Sequence, residues 1–180
     1  LMTAKKENPD WIFLKGNHDQ WLLDLIEGKA EKNGKGKLDN GANFSYSETT
    51  KTLINLEKQA SVFQEDVHIF LSTLKSYYKN GDFIFVHNPL RDNSVPLSEK
   101  SIDELISNYL LEPIWSGKPF IHGHALVRIP TKINKGININ TECGYGGYLT
   151  GIIVDANKTP TYFSISEDGT SISEVKFNEL

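Results

Sequence analysis

The chain has 180 residues, 38% of them hydrophobic and 23% charged, which is enough apolar material for one domain with an ordinary core. Its 19 basic and 23 acidic residues leave a formal net charge of −4, so no overall basic field points to a nucleic-acid backbone. No apolar run is long enough to cross a membrane, and the single cysteine, Cys143, excludes an intrachain disulfide and fits a reducing, cytoplasmic compartment.

Residues 1–8 read as the last turns of a helix broken at Pro9. A chain rarely begins inside a helix without a cap, so the natural start is expected upstream of Leu1, and the lack of a signal peptide here excludes nothing. Trp11-Ile12-Phe13-Leu14-Lys15 is a first apolar strand running into Gly16-Asn17-His18-Asp19. Residues 20–28 place Trp21, Leu22, Leu25 and Ile26 at helical spacing. Residues 29–43 are rich in Gly, Asn and Lys and read as an exposed loop, with Lys29, Lys32, Lys35 and Lys37 as a small solvated cluster. Two more helices are expected over residues 50–59 and 65–80, the second with Val67, Phe70, Leu71, Leu74 and Tyr78 on one buried stripe. Gly81-Asp82 then turns into a strand, Phe83-Ile84-Phe85-Val86, that ends on His87-Asn88. Ser101-Ile102-Asp103-Glu104 has the form of a capping box and opens a helix to about residue 111, with Pro113 ending it. Pro119-Phe120-Ile121 runs into His122-Gly123-His124. Beyond Gly136 the pattern turns to β: residues 137–140, 148–155, 161–166 and 171–177 read as largely antiparallel strands joined by short turns.

Three apolar runs thus end on residues able to bind a metal, and open α/β sheets bind ligands where strands end. Taken singly, each has a plainer explanation as well. Gly16 to Asp19 is good turn chemistry, and is also an Asn–His pair able to split roles, Asn17 on a cation and His18 towards substrate. His87 fits a core histidine as well as a ligand. Gly123 lets the backbone approach closely before His124, and His122 shares the face of His124 only if extended geometry continues. Four of the five histidines fall at strand ends, while His68 lies mid-helix and reads as surface. Arg91, four residues after His87, reads first as a surface arginine in a loop and second as a candidate phosphate contact. All the strand-end donors are neutral, although a dication needs negative charge nearby.

In order and context, Lys15-Gly16-Asn17-His18-Asp19, Phe85-Val86-His87, Ile121-His122-Gly123-His124 and the stretch from Ile139 to Thr150 resemble the calcineurin-like metallophosphoesterases. The bacterial serine/threonine protein phosphatase and diadenosine tetraphosphatase branch is the nearest in pattern. The resemblance implies an α/β fold, a four-layer αββα sandwich, here lacking its N-terminal βαβ portion, with residues 1–180 as the later part of a single domain. It implies a dinuclear centre of Mn, Fe or Zn in the intact protein, with Asn17, His87 and His124 as ligands of one ion. His18 would be the catalytic histidine that serves the leaving oxygen, with Asp19 supporting its loop. The implied substrate is a phosphorylated protein or a small phosphoester, including dinucleoside polyphosphates, with no nucleic acid and no membrane as partner.

Several departures accompany the match. The family motifs DxH and GDxxDRG, which carry the carboxylate ligands and a phosphate-holding Arg, do not occur. Tyr109 stands where a second Arg is expected, Asn88-Pro89 replaces Ala-Gly, and Asn140-Thr141-Glu142 replaces Asp-Thr-Gly. These 180 residues alone are therefore expected to bind metal weakly, to have negligible activity, and to expose a bare strand edge that favours association. A non-catalytic, phosphatase-like binding domain is the other reading of these departures, and a plain α/β domain with structural histidines is a third.

Overall fold

The computed structural model describes every residue except 30–34, 38–42, 46, 92, 108–114, 155–159, 167–168, 170–171, 175–177 and 180. Tyr109 lies outside the described residues, and the helix expected to run from Ser101 to about residue 111 ends at Ile106, with Ser107 as its C-cap. The fold is mixed α/β, and its contacts divide it into two compact units, Leu1–Ser76 and Tyr77–Leu180.

The first unit is mainly helical. It contains α1 (Met2–Glu7), α2 (Asn17–Ile26), a short antiparallel pair of strands β1 (Lys35–Lys37) and β2 (Asn43–Ser45), then α3 (Ser47–Glu57) and α4 (Ser61–Thr73). The paired strands show that the stretch expected to be a plain loop includes a hairpin. Trp21 and Leu25 of α2 pack on Leu53 of α3, while Leu23 packs on Leu71 and Leu74 at the end of α4. The apolar run before α2 is extended but makes only one bridge, Leu14 to Lys75, and Trp11 is 54% exposed. No strand runs along the rest of it among the described residues, so burial stops at Phe13, which leans on Phe70.

The second unit starts with a departure from the sequence pattern. The expected helix over residues 65–80 ends at Thr73, and β3 (Tyr77–Asn80) follows, paired antiparallel with β4 (Phe83–Val86) around Gly81, whose φ is 46°. Leu74 and Leu71 keep the helical stripe, but Tyr78 belongs to the sheet, because pairing with β4 satisfies its backbone where the helix would have to continue past an exposed turn. Then come α5 (Ile102–Ile106), β5 (Phe120–His122), β6 (Thr131–Ile133) and β7 (Gly136–Asn138). The chain closes with β8 (Tyr148–Ile153), β9 (Thr161–Ser166), β10 (Ile172–Glu174) and β11 (Asn178–Glu179). Ser101 caps α5 as expected: its hydroxyl accepts from the Glu104 amide at 3.2 Å and the Glu104 carboxylate accepts from the Ser101 amide at 3.0 Å.

Six strands form one sheet in the order β11-β6-β7-β5-β4-β3, with β4, β5 and β7 mutually parallel, and three form another in the order β10-β9-β8. The β-rich end is antiparallel within β8–β10 and between β6 and β7, but β7 joins β5 in parallel and β11 joins β6 in parallel. Strand β6 carries no long apolar run and was not legible as a strand.

Side-chain alternation builds two cores on the larger sheet. Ile84, Val86 and Phe120 face Leu90, Leu97, Leu105, Ile106 and Trp115, so α5 and its flanking turns cover one face. Phe85, Ile121 and Ile137 face Tyr162, Ile152 and Val154, so the three-stranded sheet covers the other. The result is an α–β–β stack within this unit. Phe120 is wholly buried and its ring lies where a Cβ on Gly136 would stand 2.6 Å away, so glycine at 136 makes room for it. Replacing Phe120 by Ala is expected to lower stability by roughly 3–5 kcal/mol, read from the urea midpoint.

Candidate functional site

The site is built from strand ends, beginning with β4 and β5. Their parallel pairing, Ile84 opposite Phe120 and Phe85 opposite Ile121, brings the residues just beyond both strands to one edge. The Gly123 amide donates to the His87 carbonyl at 3.0 Å, which continues the ladder past both strand ends. His124 then turns back with φ of 63°, a left-handed conformation that costs a non-glycine residue about 1–2 kcal/mol. That turn sets His124 Nδ1 3.2 Å from His87 Nε2, with the rings edge to face.

This spacing is the test of whether a cation fits. Metal–nitrogen bonds of about 2.1 Å at angles between octahedral and tetrahedral put neighbouring ligand nitrogens roughly 3.0–3.4 Å apart. The pair therefore fits one ion, provided that the ring donating across the contact moves its proton to its far nitrogen. Both strand ends are pinned from behind. Asn88 is buried, its amide N–H donating to the Leu105 carbonyl at 3.1 Å and its Nδ2 to the Glu104 carbonyl at 3.0 Å. After His124, the Asn138 side chain donates to the Ala125 carbonyl and accepts from the Asn140 amide, both at 2.9 Å.

His122 falls on the other side. It follows Phe120 in the strand alternation, stacks near that ring and is buried. Its Nδ1 lies 3.0 Å from the Gly123 carbonyl, which can only accept, so Nδ1 carries the proton. Burial pushes the ring down to about 4. Gly123 is not the tight point that the motif suggested. A Cβ there would meet Asn140 and the His87 carbonyl only at ordinary contact, 3.7 and 3.9 Å.

In the first unit, Gly16 caps α2 and the Asp19 carboxylate accepts from its amide at 2.8 Å, so Asp19 holds the turn. Asn17 is buried and His18 exposed, which separates the two side chains as the turn was expected to do. The His18 ring rests on Trp21, with centroids 4.7 Å apart, and its Nδ1 is 3.3 Å from the Thr49 hydroxyl. Burial raises the Asp19 carboxyl above its ordinary range and holds the Lys15 ammonium below its own. Lys15 Nζ donates to Gln20 Oε1 at 2.8 Å, beneath the same turn. Arg91 is exposed. Among the described residues no group of three or more His, Cys, Asp or Glu side chains gathers at one point.

The loop after β7 holds features that the sequence pattern did not expose. Glu142 sits at φ 64°, and a Cβ on Gly147 would stand 2.2 Å from the Thr141 carbonyl. Thr141 donates its hydroxyl to the Tyr148 carbonyl at 2.6 Å, so it accepts from Thr150 at 2.6 Å, which in turn accepts from Ser164 at 2.6 Å. Thr49, the partner of His18, was also missed, since a threonine near a helix start gives no sign of what it will meet.

No protein-family model matches the chain. The chain is similar to bis(5'-nucleosyl)-tetraphosphatase PrpE [asymmetrical] of Bacillus subtilis (strain 168), at 21% identity over 156 residues, covering 77% of this chain and 61% of that protein. It thus spans less than two thirds of that relative's length.

Two outcomes follow from the geometry. The unfolded imidazole takes a proton near 6.5 and the folded His122 only near 4. Stability should therefore be full above pH 6.5 and fall by about 3 kcal/mol as pH drops towards 4, measured by urea unfolding in chelator. Glu142→Gly removes a left-handed side chain and should raise stability by roughly 0.5–1 kcal/mol in the same assay, after the entropy of glycine is offset.

Proposed function

We propose that this chain carries part of the active site of a divalent-metal-dependent phosphoester hydrolase. The observation that supports it best is the meeting of His87 and His124 at neighbouring strand ends, 3.2 Å apart, on a backbone turn that costs energy to hold. His87, His124 and Asn17 are the ligands we assign to one ion. A bound divalent cation would polarise phosphoryl oxygens and acidify a water.

The chain's own residues do the rest. Asn88 and Asn138 pin the backbone that follows His87 and His124. His18 is held at Nδ1 by the Thr49 hydroxyl, 3.3 Å away, which leaves Nε2 as the ring nitrogen we assign to the departing oxygen. Its exposure on the first turn of α2 suits that task.

All three proposed ligands are neutral. We infer that the balancing carboxylates, and the ligands of a second ion, belong to DxH and GDxxDRG motifs that these 180 residues do not contain. On this reading residues 1–180 are the later part of one four-layer αββα metallophosphoesterase domain. The distant likeness to a bis(5'-nucleosyl)-tetraphosphatase favours a small phosphoester of the dinucleoside polyphosphate type over a phosphorylated protein.

Calorimetry with Mn²⁺ tests the ligand assignment. The chain should bind one ion weakly, and His87→Ala or His124→Ala should abolish that binding while changing stability by no more than about 1 kcal/mol. A tight two-ion stoichiometry would sink the neutral half-site, and variants that lose stability but keep metal would make the histidines structural. In the full-length protein, Mn²⁺-dependent hydrolysis should be faster on diadenosine tetraphosphate than on a phosphopeptide.

A further inference from the structure

A lysine that closes an apolar run normally lays its stem along the core and sends its ammonium to water. Lys15 does the reverse. It is only 8% exposed, and among the described lysines only Lys100 is also buried. Both ends of its side chain are tied. At the root, the Lys15 amide donates to the Lys75 carbonyl at 2.8 Å and the Lys75 amide donates to the Phe13 carbonyl at 3.1 Å, which fastens the backbone entering the turn to the chain just beyond α4. At the tip, Nζ donates to Gln20 Oε1 at 2.8 Å. Gln20 Nε2 in turn donates to Asp24 Oδ1 at 2.7 Å, one turn further along α2. The tie from Lys15 to Gln20 spans Gly16 to Asp19, and inside it lies the shorter one from the Gly16 amide to the Asp19 carboxylate. Only Asn17 and His18 are enclosed by both.

We propose that Lys15 is a positioning residue: through Gln20 and Asp24 it fixes the first turn of α2 against the extended run before it, and so sets where Asn17 and His18 stand. The proposal rests on the roles assigned above to those two residues. Stability alone does not explain a lysine here, since an apolar side chain would fill the space without taking a charge out of water. The ammonium supplies direction instead. A charged donor on a long stem binds one acceptor at one place, and the Gln20 amide has its oxygen engaged by Lys15 and its nitrogen by Asp24, so it is held against flipping. The inner tie closes the turn on itself. The outer one joins that closed turn to the incoming backbone on one side and to the second turn of the helix on the other. Lys15 acts from beneath, by holding the turn and not by touching what the turn binds.

Amide hydrogen exchange of the 180-residue chain reads the tie without reference to catalysis. The amides of residues 16 and 20 bond to Asp19 Oδ2 and to the Gly16 carbonyl, so they report on the turn. Lys15→Met and Gln20→Leu should each speed their exchange by roughly tenfold while the Leu71 amide in α4 keeps its rate. The double variant should exchange no faster than either single one, because the tie is already cut. It leaves neither partner buried alone, so it should fold with the wild-type urea midpoint even where a single variant does not. In the full-length protein, Mn²⁺-dependent hydrolysis of diadenosine tetraphosphate by Lys15→Met should lose roughly 10–100-fold in kcat, with KM within about twofold of wild type. Unchanged exchange at residues 16 and 20, additive effects in the double variant, or faster exchange at Leu71 as well would overturn the proposal. So would a raised KM at constant kcat, which would put Lys15 on the substrate. A wild-type full-length protein without hydrolase activity would sink the functional reading instead, and the exchange rates would still decide whether Lys15 holds the turn.

Discussion

Strands β4, β5 and β7 are buried on both faces, and much of the second unit follows from that constraint. A half-buried strand can slip by two residues and keep its apolar side inward. One that feeds Ile84 and Val86 into the helical layer, and Phe85 into the facing sheet, has little such freedom, because every position is matched to a neighbour of a particular size. The Phe120 ring over Gly136 is the tightest of these matches. With the register held, the strand ends are held too, and His87 and His124 arrive at one place by the ladder's own geometry, helped only by a left-handed turn at His124.

The same arrangement separates histidines that look alike in sequence. His122 and His124 lie two residues apart, but one is buried beside Phe120 as a neutral ring and the other is swung towards His87. Desolvation keeps the first from carrying charge. The second has a neighbour that a cation would bridge, at the cost of moving one proton within a ring. Two neutral rings are a poor counterpart for a dication in isolation, so electrostatics requires negative groups from somewhere else in any working centre.

The sequence made the strand ends legible because their apolar runs are short, continuous and closed by polar residues; β4 and β5 stand where the pattern put them. The Ser101 capping box was equally plain, since the signal is local and so is the interaction. What escaped were features decided at a distance. Tyr78 fitted a helical stripe until β4 offered it a ladder. Strand β6 owes its form to pairing with β7 rather than to its own composition. Gly123 attracted notice as a glycine beside a histidine, while the strained positions proved to be His124 and Glu142, where nothing in residue type announces a positive φ. The pairing of His18 with Thr49 likewise required knowing how α2 meets α3.

The run of hydroxyls from Ser164 through Thr150 to Thr141 has one polarity, because its last proton is committed to the Tyr148 carbonyl. Each of the inner two oxygens must therefore give and receive at once, through a single atom, in a space closed to water. An amide side chain would bring a second polar atom with nowhere to go, and valine would fit the space yet silence both directions. Only serine and threonine meet that demand. The loop behind β7 and the small sheet are thus joined by a seam whose alphabet has two letters.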